Sequence, residues 1–154
     1  MTRSTRVLRV LLGVAIAESF VHYADNTLRY DDYTVPDPSV LGSLVKQWVI
    51  PVSWVLFTAA GVIGYKRFRD GGRAQAAPWI GAYSASGLIS VLHYTDISLD
   101  DLSLFQNTFV FLDVALGLAL LGFALWATLS EPQSKLPGGR RKGLGRRSVR
   151  PDGR

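Results

Sequence analysis

Cysteine is absent from the 154 residues, which excludes disulfides, thiolate metal centres and cysteine nucleophiles and leaves the redox compartment unmarked. Charge is scarce too. Asp, Glu, Lys and Arg make up 19% of the chain against 48% hydrophobic residues, an unusual balance for a soluble domain of this size. Histidine occurs only at positions 22 and 93. There is no internal repeat, no phosphate-binding glycine loop and no paired-cysteine metal signature.

The few charges are segregated. None lies between Lys46 and Lys66 or between Arg73 and Asp96, and from Asp101 to Glu131 the only one is Asp113. Each gap holds a helix of ~20 residues, enough to cross ~30 Å of hydrocarbon. Spans are predicted over 45–65, 78–94 and 104–129. A fourth, over 7–25, is flanked by Arg3, Arg6 and Arg9; Ala15-Ile16-Ala17 before Glu18 also resembles the cleavage site of a secretory signal. The expected fold is an all-α integral membrane four-helix bundle over 1–130. Residues 131–154 hold eight basic residues and two acids without apolar periodicity, as in a disordered basic cytoplasmic tail. Fifteen of the seventeen Lys and Arg residues fall in the N-terminal flank, the 65–77 loop and the tail. By the positive-inside rule both termini are then cytoplasmic, in a multi-pass protein of the cell membrane.

Local signals refine this outline. Residues 26–43 read as a loop containing Asp31-Asp32 and Pro36-Asp37-Pro38, with Tyr30 and Tyr33 suited to the headgroup zone. Pro51 falls early in the second span, and Gln47, Trp54, Thr58 and Gly61 share a face there. Pro78 is placed to open the third helix, whose Tyr83, Ser86, Ser90 and His93 form a polar stripe. Gln106, Asp113 and Gly117 lie on one face of the fourth. Asp96, Asp100 and Asp101 mark the 95–103 loop as external, and Trp48, Trp54, Trp79 and Trp126 read as interfacial anchors.

The stretch 18–26 concentrates the chemistry. Glu18, His22 and Asp25 follow i, i+4, i+7 and share a helical stripe, and an ionised carboxylate on a spanning helix must turn toward protein or trapped water. At the helical rise Glu18 lies ~10 Å and Asp113 ~13 Å below the outer surface, and His22 and His93 lie close to that surface, so all four fall in the outer half of the bundle. The expected outward-facing pocket comprises Glu18, His22, Asp25, Tyr83, Ser90, His93, Gln106 and Asp113. Three chemistries use such a set. Glu18, His22, His93 and Asp113 suit a divalent metal. His22 and His93 are a candidate axial pair for haem. Glu18 and Asp113 suit a proton-linked site for a small cationic or lipid-like ligand. The structural alternative has the histidines bonded to Asp25 and Asp96 and a protonated Asp113 bonded to a hydroxyl, in a subunit whose polar groups serve helix association.

Besides the bilayer, the tail's expected partner is anionic lipid; nucleic acid would bind by the same physics, but no folded reader accompanies it. A membrane-protein partner or a second copy fits the subunit alternative. Four spans with both ends inside and a basic tail resemble the sterol-isomerase and emopamil-binding group. The glutamate in the first span is similar to that of the small multidrug exporters. Neither resemblance assigns a residue or a catalytic role.

Overall fold

Thr2 starts the first helix. Its hydroxyl accepts the Thr5 amide at 3.2 Å, and α1 runs over Arg3–Leu28 in a computed structural model that describes residues 1–33 and 44–130. The helix exceeds the expected 7–25 because Arg3, Arg6 and Arg9 occupy exposed positions and favour helix without burying charge. Its buried stripe is Thr5, Leu8, Leu12, Ala15, Ser19, His22 and Asn26. A short 3-10 helix over Tyr30–Tyr33 follows.

α2 spans Val49–Arg69, beginning later than the expected residue 45 because a turn closed by Val49 N–H to Lys46 O (2.8 Å) precedes it. Pro51 is then its third residue, where no intrahelical donor is needed. Lys66, Arg67 and Arg69 complement the dipole at its end. The chain reverses over three residues. Gly71 takes φ +94°, its N–H bonding Phe68 O at 3.1 Å while the Gly72 N–H bonds Arg67 O at 3.0 Å. These two bonds satisfy carbonyls left open at the helix end and require a residue free of Cβ strain.

That tight turn lets α3 begin at Arg73, so Pro78 lies inside the helix rather than at its start. α3 covers Arg73–Ile89 and passes directly into a 3-10 helix over Ser90–Thr95. A 3-10 turn at Leu99–Asp101 leads to α4, Leu104–Leu129, at the expected bounds. The Ser103 hydroxyl accepts the Gln106 amide at 3.2 Å while Gln106 Oε1 accepts the Ser103 amide at 2.8 Å, a reciprocal cap.

The described residues are all-helical, without strands. Three helices, α1, α2 and α4, are long and apolar enough to cross a membrane. The charge-free gaps predict a further span over 78–94. α3 is instead a 17-residue helix whose Tyr83, Ser84 and Ser86 are buried, and its polarity is turned inward. The expected tail, 131–154, lies outside the described residues.

α1 and α3 each pack against both α2 and α4. The core joins Leu8, Leu12 and Ala15 of α1, Phe68 of α2, Ile80 and Tyr83 of α3, and Leu120 and Ala124 of α4. The outer faces are also apolar: Val7, Val14, Phe20, Val55, Leu56, Phe111, Leu118 and Leu125 are exposed. Apolar faces turned both inward and outward match helices solvated by lipid rather than water.

Glycine sets the closest approach. A Cβ on Gly87 of α3 would collide with the carbonyl of Asp113 on α4, and one on Gly117 would sit 2.9 Å from Ser84 O. Both contacts are to backbone, which yields less readily than a side chain. Gly87→Ala is expected to lower stability by roughly 1–3 kcal/mol, the usual cost of overpacking. Gly81→Ala, which meets nothing within 4 Å, serves as control. Equal unfolding midpoints for the two variants in mixed micelles would contradict this packing.

A buried Glu–His–Asp centre and an adjoining cavity

The 4,3,4,3,4 spacing of Leu8, Leu12, Ala15, Ser19, His22 and Asn26 carries the inward face of α1 from an apolar half into a polar one. The same spacing along α4 buries Gln106, Val110, Asp113 and Gly117. Because Gly87 admits the α4 backbone, Asp113 arrives beside the end of α3, where the Ser90 hydroxyl donates to its Oδ2 at 2.8 Å.

Glu18, His22 and Asp113 meet at this level. One ligand-type atom from each lies within 4.8 Å of the others. His22 Nδ1 is 2.8 Å from Asp113 Oδ2, with His22 only 1% and Asp113 2% exposed. Nδ1 thus has the Asp113 carboxylate as its neighbour, while His22 Nε2 and both carboxylate oxygens of Glu18 are buried without a hydrogen-bond partner. Unsatisfied buried polar atoms are costly, and three of them gathered beside the His22–Asp113 pair suit a site shaped for something further. Two carboxylates and an imidazole form a donor set suited to zinc, manganese or iron. Ligand bonds of ~2.1 Å place two donors at most ~4.2 Å apart, so small side-chain rotations would close the cluster on an ion.

The other expected site residues divide. Ser90 joins the centre through Asp113. His93 stands outside the cluster: its ring stacks on His22 at 5.6 Å between centroids, and its Nε2 accepts from Asn26 Nδ2 at 3.2 Å. Tyr83 forms a separate node, its hydroxyl 3.1 Å from the Ser19 hydroxyl, to which Trp54 Nε1 also donates at 3.2 Å. Gln106 caps α4 through Oε1, while its Nε2 is buried without a partner. Asp25 is not on the buried stripe of Ser19, His22 and Asn26. It lies at the flank, where it accepts from the Tyr33 hydroxyl at 2.8 Å and meets Arg29 at 3.4 Å. The alternative in which His22 bonds Asp25 is therefore replaced: His22 faces Asp113.

Three participants were missed. Asn26 and Ser19 belong to the buried stripe and could have been found by continuing the Leu8-Leu12-Ala15 spacing forward. Tyr33 had been assigned to the headgroups, yet its ring lies 4.9 Å from that of His93 and 6.5 Å from that of His22. Burial, together with the Asp25 carboxylate it bonds, raises its phenol above the ordinary range. Only the fold brings it there.

Beside the two stacked histidines lies a cavity of about 280 Å³ between the end of α1, the start of α2 and the end of α3. Its polar lining includes Tyr23, Asn26, Ser53, Ser90, His93 and Asp96, and no lysine or arginine among the described residues lines it; Val49, Ile50, Phe57 and Ile89 make it otherwise apolar. Asn26 Oδ1, buried and unpartnered, is part of this wall. His93 and Ser90 are common to the cavity and to the surroundings of the centre.

No known family, no curated protein and no solved structure matches the chain.

Removing Asp113 strips Ser90 and His22 of their shared partner at once. Asp113→Ala is expected to cost roughly 3–5 kcal/mol, as for other buried pairs deprived of one member. Trp54→Phe, which removes a single interhelical bond to Ser19, is expected to cost about 0.6 kcal/mol. Unfolding in mixed micelles that ranks the two variants in the opposite order would contradict the described centre.

Proposed function

We propose that this chain is a multi-pass protein of the cell membrane, a four-helix bundle with both ends cytoplasmic, that holds a divalent metal ion at Glu18, His22 and Asp113. The observation that carries the reading is the convergence of these three side chains from α1 and α4 within 4.8 Å, with the Glu18 oxygens and His22 Nε2 buried and without a hydrogen bond. The cavity beside His93 is the route or companion site, taking a small cationic or lipid-like ligand next to the ion. Titration of the Glu18–Asp113 pair would link such binding to protons. No catalytic residue is assigned. Haem held between the two histidines is less well supported, because their rings stack on each other at 5.6 Å and leave no room for a planar group between them.

A second reading has one observation in its favour. Asp113 already accepts from Ser90 and touches His22, so α1, α3 and α4 are tied together by this centre with no ion at all. On that reading the chain is a non-enzymatic subunit or assembly partner of another membrane protein or of its own copies, with polar groups serving helix association.

Elemental analysis of protein purified without chelator separates the two. About one equivalent of zinc, manganese or iron is expected, lost in Glu18→Gln and His22→Ala. Metal-free wild type that binds none of these ions on titration would leave only the subunit. The absence of cysteine makes topology equally direct to test. Asp70→Cys is expected to react with an impermeant maleimide only after the membrane is opened, and Asp100→Cys in intact cells; the reverse pattern would invert the orientation.

A further inference from the structure

A recess of about 550 Å³ opens at the opposite end of the helices from the histidines, lined by Thr2, Arg3, Ser4, Val7, Arg73, Phe123 and Trp126. It gathers the start of α1, the start of α3 and the last turns of α4. Among the described residues two guanidinium groups line it and no carboxylate does. Arg73 is held in place rather than free: its guanidinium carbon lies 5.9 Å from the Phe68 ring and 5.8 Å from the Trp126 ring. A guanidinium stacked on aromatic faces keeps its N–H edge available, and that edge matches two oxygens of a phosphate. No ion pair to Arg3 or Arg73 is present among the described residues. The Arg3 and Ser4 amides of α1 add donors outside the helix ladder, the Thr5 amide being taken by the Thr2 hydroxyl. Beneath these polar groups Val7, Phe123 and Trp126 give an apolar floor, as a ligand part hydrophilic and part hydrocarbon requires.

We propose that this recess binds the phosphodiester headgroup of an anionic phospholipid, with Arg3 and Arg73 on the phosphate and Phe123 and Trp126 against the glycerol and upper acyl carbons. The inference rests on the membrane placement proposed above and not on the metal centre. A free phosphate would have no use for the aromatic floor. The recess is at the end of the membrane-length helices where Arg6, Arg9, Lys66, Arg67 and Arg69 are also found, the face that meets anionic headgroups in the proposed orientation.

Native mass spectrometry of the full chain, released from neutral detergent carrying dioleoylphosphatidylglycerol, dioleoylphosphatidylcholine or inorganic phosphate, tests this. Retention of one phosphatidylglycerol is expected, weakened roughly fivefold for each arginine removed in Arg3→Gln and Arg73→Gln, from about 1 kcal/mol per basic side chain. Phosphatidylcholine and inorganic phosphate are expected to be released. Arg3→Gln alone, an exposed change, decides the matter if Arg73→Gln does not fold. Glu18→Gln is expected to leave lipid retention unchanged, so failure of the metal centre is told apart from failure of this site. Equal retention of phosphatidylcholine, phosphate binding as tight as the lipid's, or phosphatidylglycerol retention unchanged in the arginine variants would overturn the proposal.

Discussion

Asp113 is the group on which the rest of the arrangement depends. A carboxylate 2% exposed in an apolar helix is costly unless its oxygens are met, and here the partners come from two other elements. Ser90 donates to it from the end of α3, and His22 touches it from α1. Those contacts are available only because glycine at 87 and 117 lets α3 and α4 approach to backbone contact. The electrostatic requirement and the steric one therefore fix the same helix crossing, and any third group added to the level, such as Glu18, inherits that geometry.

The fold has an inverted logic relative to a water-soluble helical protein. Its outward surfaces are valine, leucine and phenylalanine, while serine, histidine, asparagine, glutamine and aspartate are among its buried residues. In hydrocarbon, burying an apolar side chain gains little over leaving it in lipid, so small residues and polar contacts carry the helix association. The Ser19–Tyr83–Trp54 node and the centre around Asp113 are such contacts, and they join α1 to α2, α3 and α4. The same economy of polar groups makes an unsatisfied set conspicuous. Glu18 and His22 together present three atoms, both Glu18 oxygens and His22 Nε2, without hydrogen bonds at a place where each absent bond is expensive.

Helix content and the bounds of α4 were legible in the sequence because charge-free runs are local signals. So was the similar depth of Glu18 and Asp113, which follows from rise per residue once two helices are laid across one thickness. Other features were not. The stripe through Glu18 and Asp25 is offset by one residue from the buried stripe through Ser19 and Asn26, because burial follows Leu8, Leu12 and Ala15, which the charged residues themselves do not reveal. Pro78 pointed to a helix start, but the tight Gly71–Gly72 turn begins α3 five residues sooner. Tyr33 and His93 meet only through the return of the 30–33 segment over the end of α3, a long-range event without a local signature.

The central claim is that two acidic side chains from helices far apart in sequence share one buried site, and a double-mutant cycle addresses it without reference to any ligand. Unfolding free energies of Glu18→Gln, Asp113→Asn and the double variant, measured in mixed micelles, are expected to show a coupling of at least about 1 kcal/mol, as for residues in direct contact. Additivity within about 0.5 kcal/mol would mean that the two carboxylates do not sense each other, and the account of the centre would be wrong.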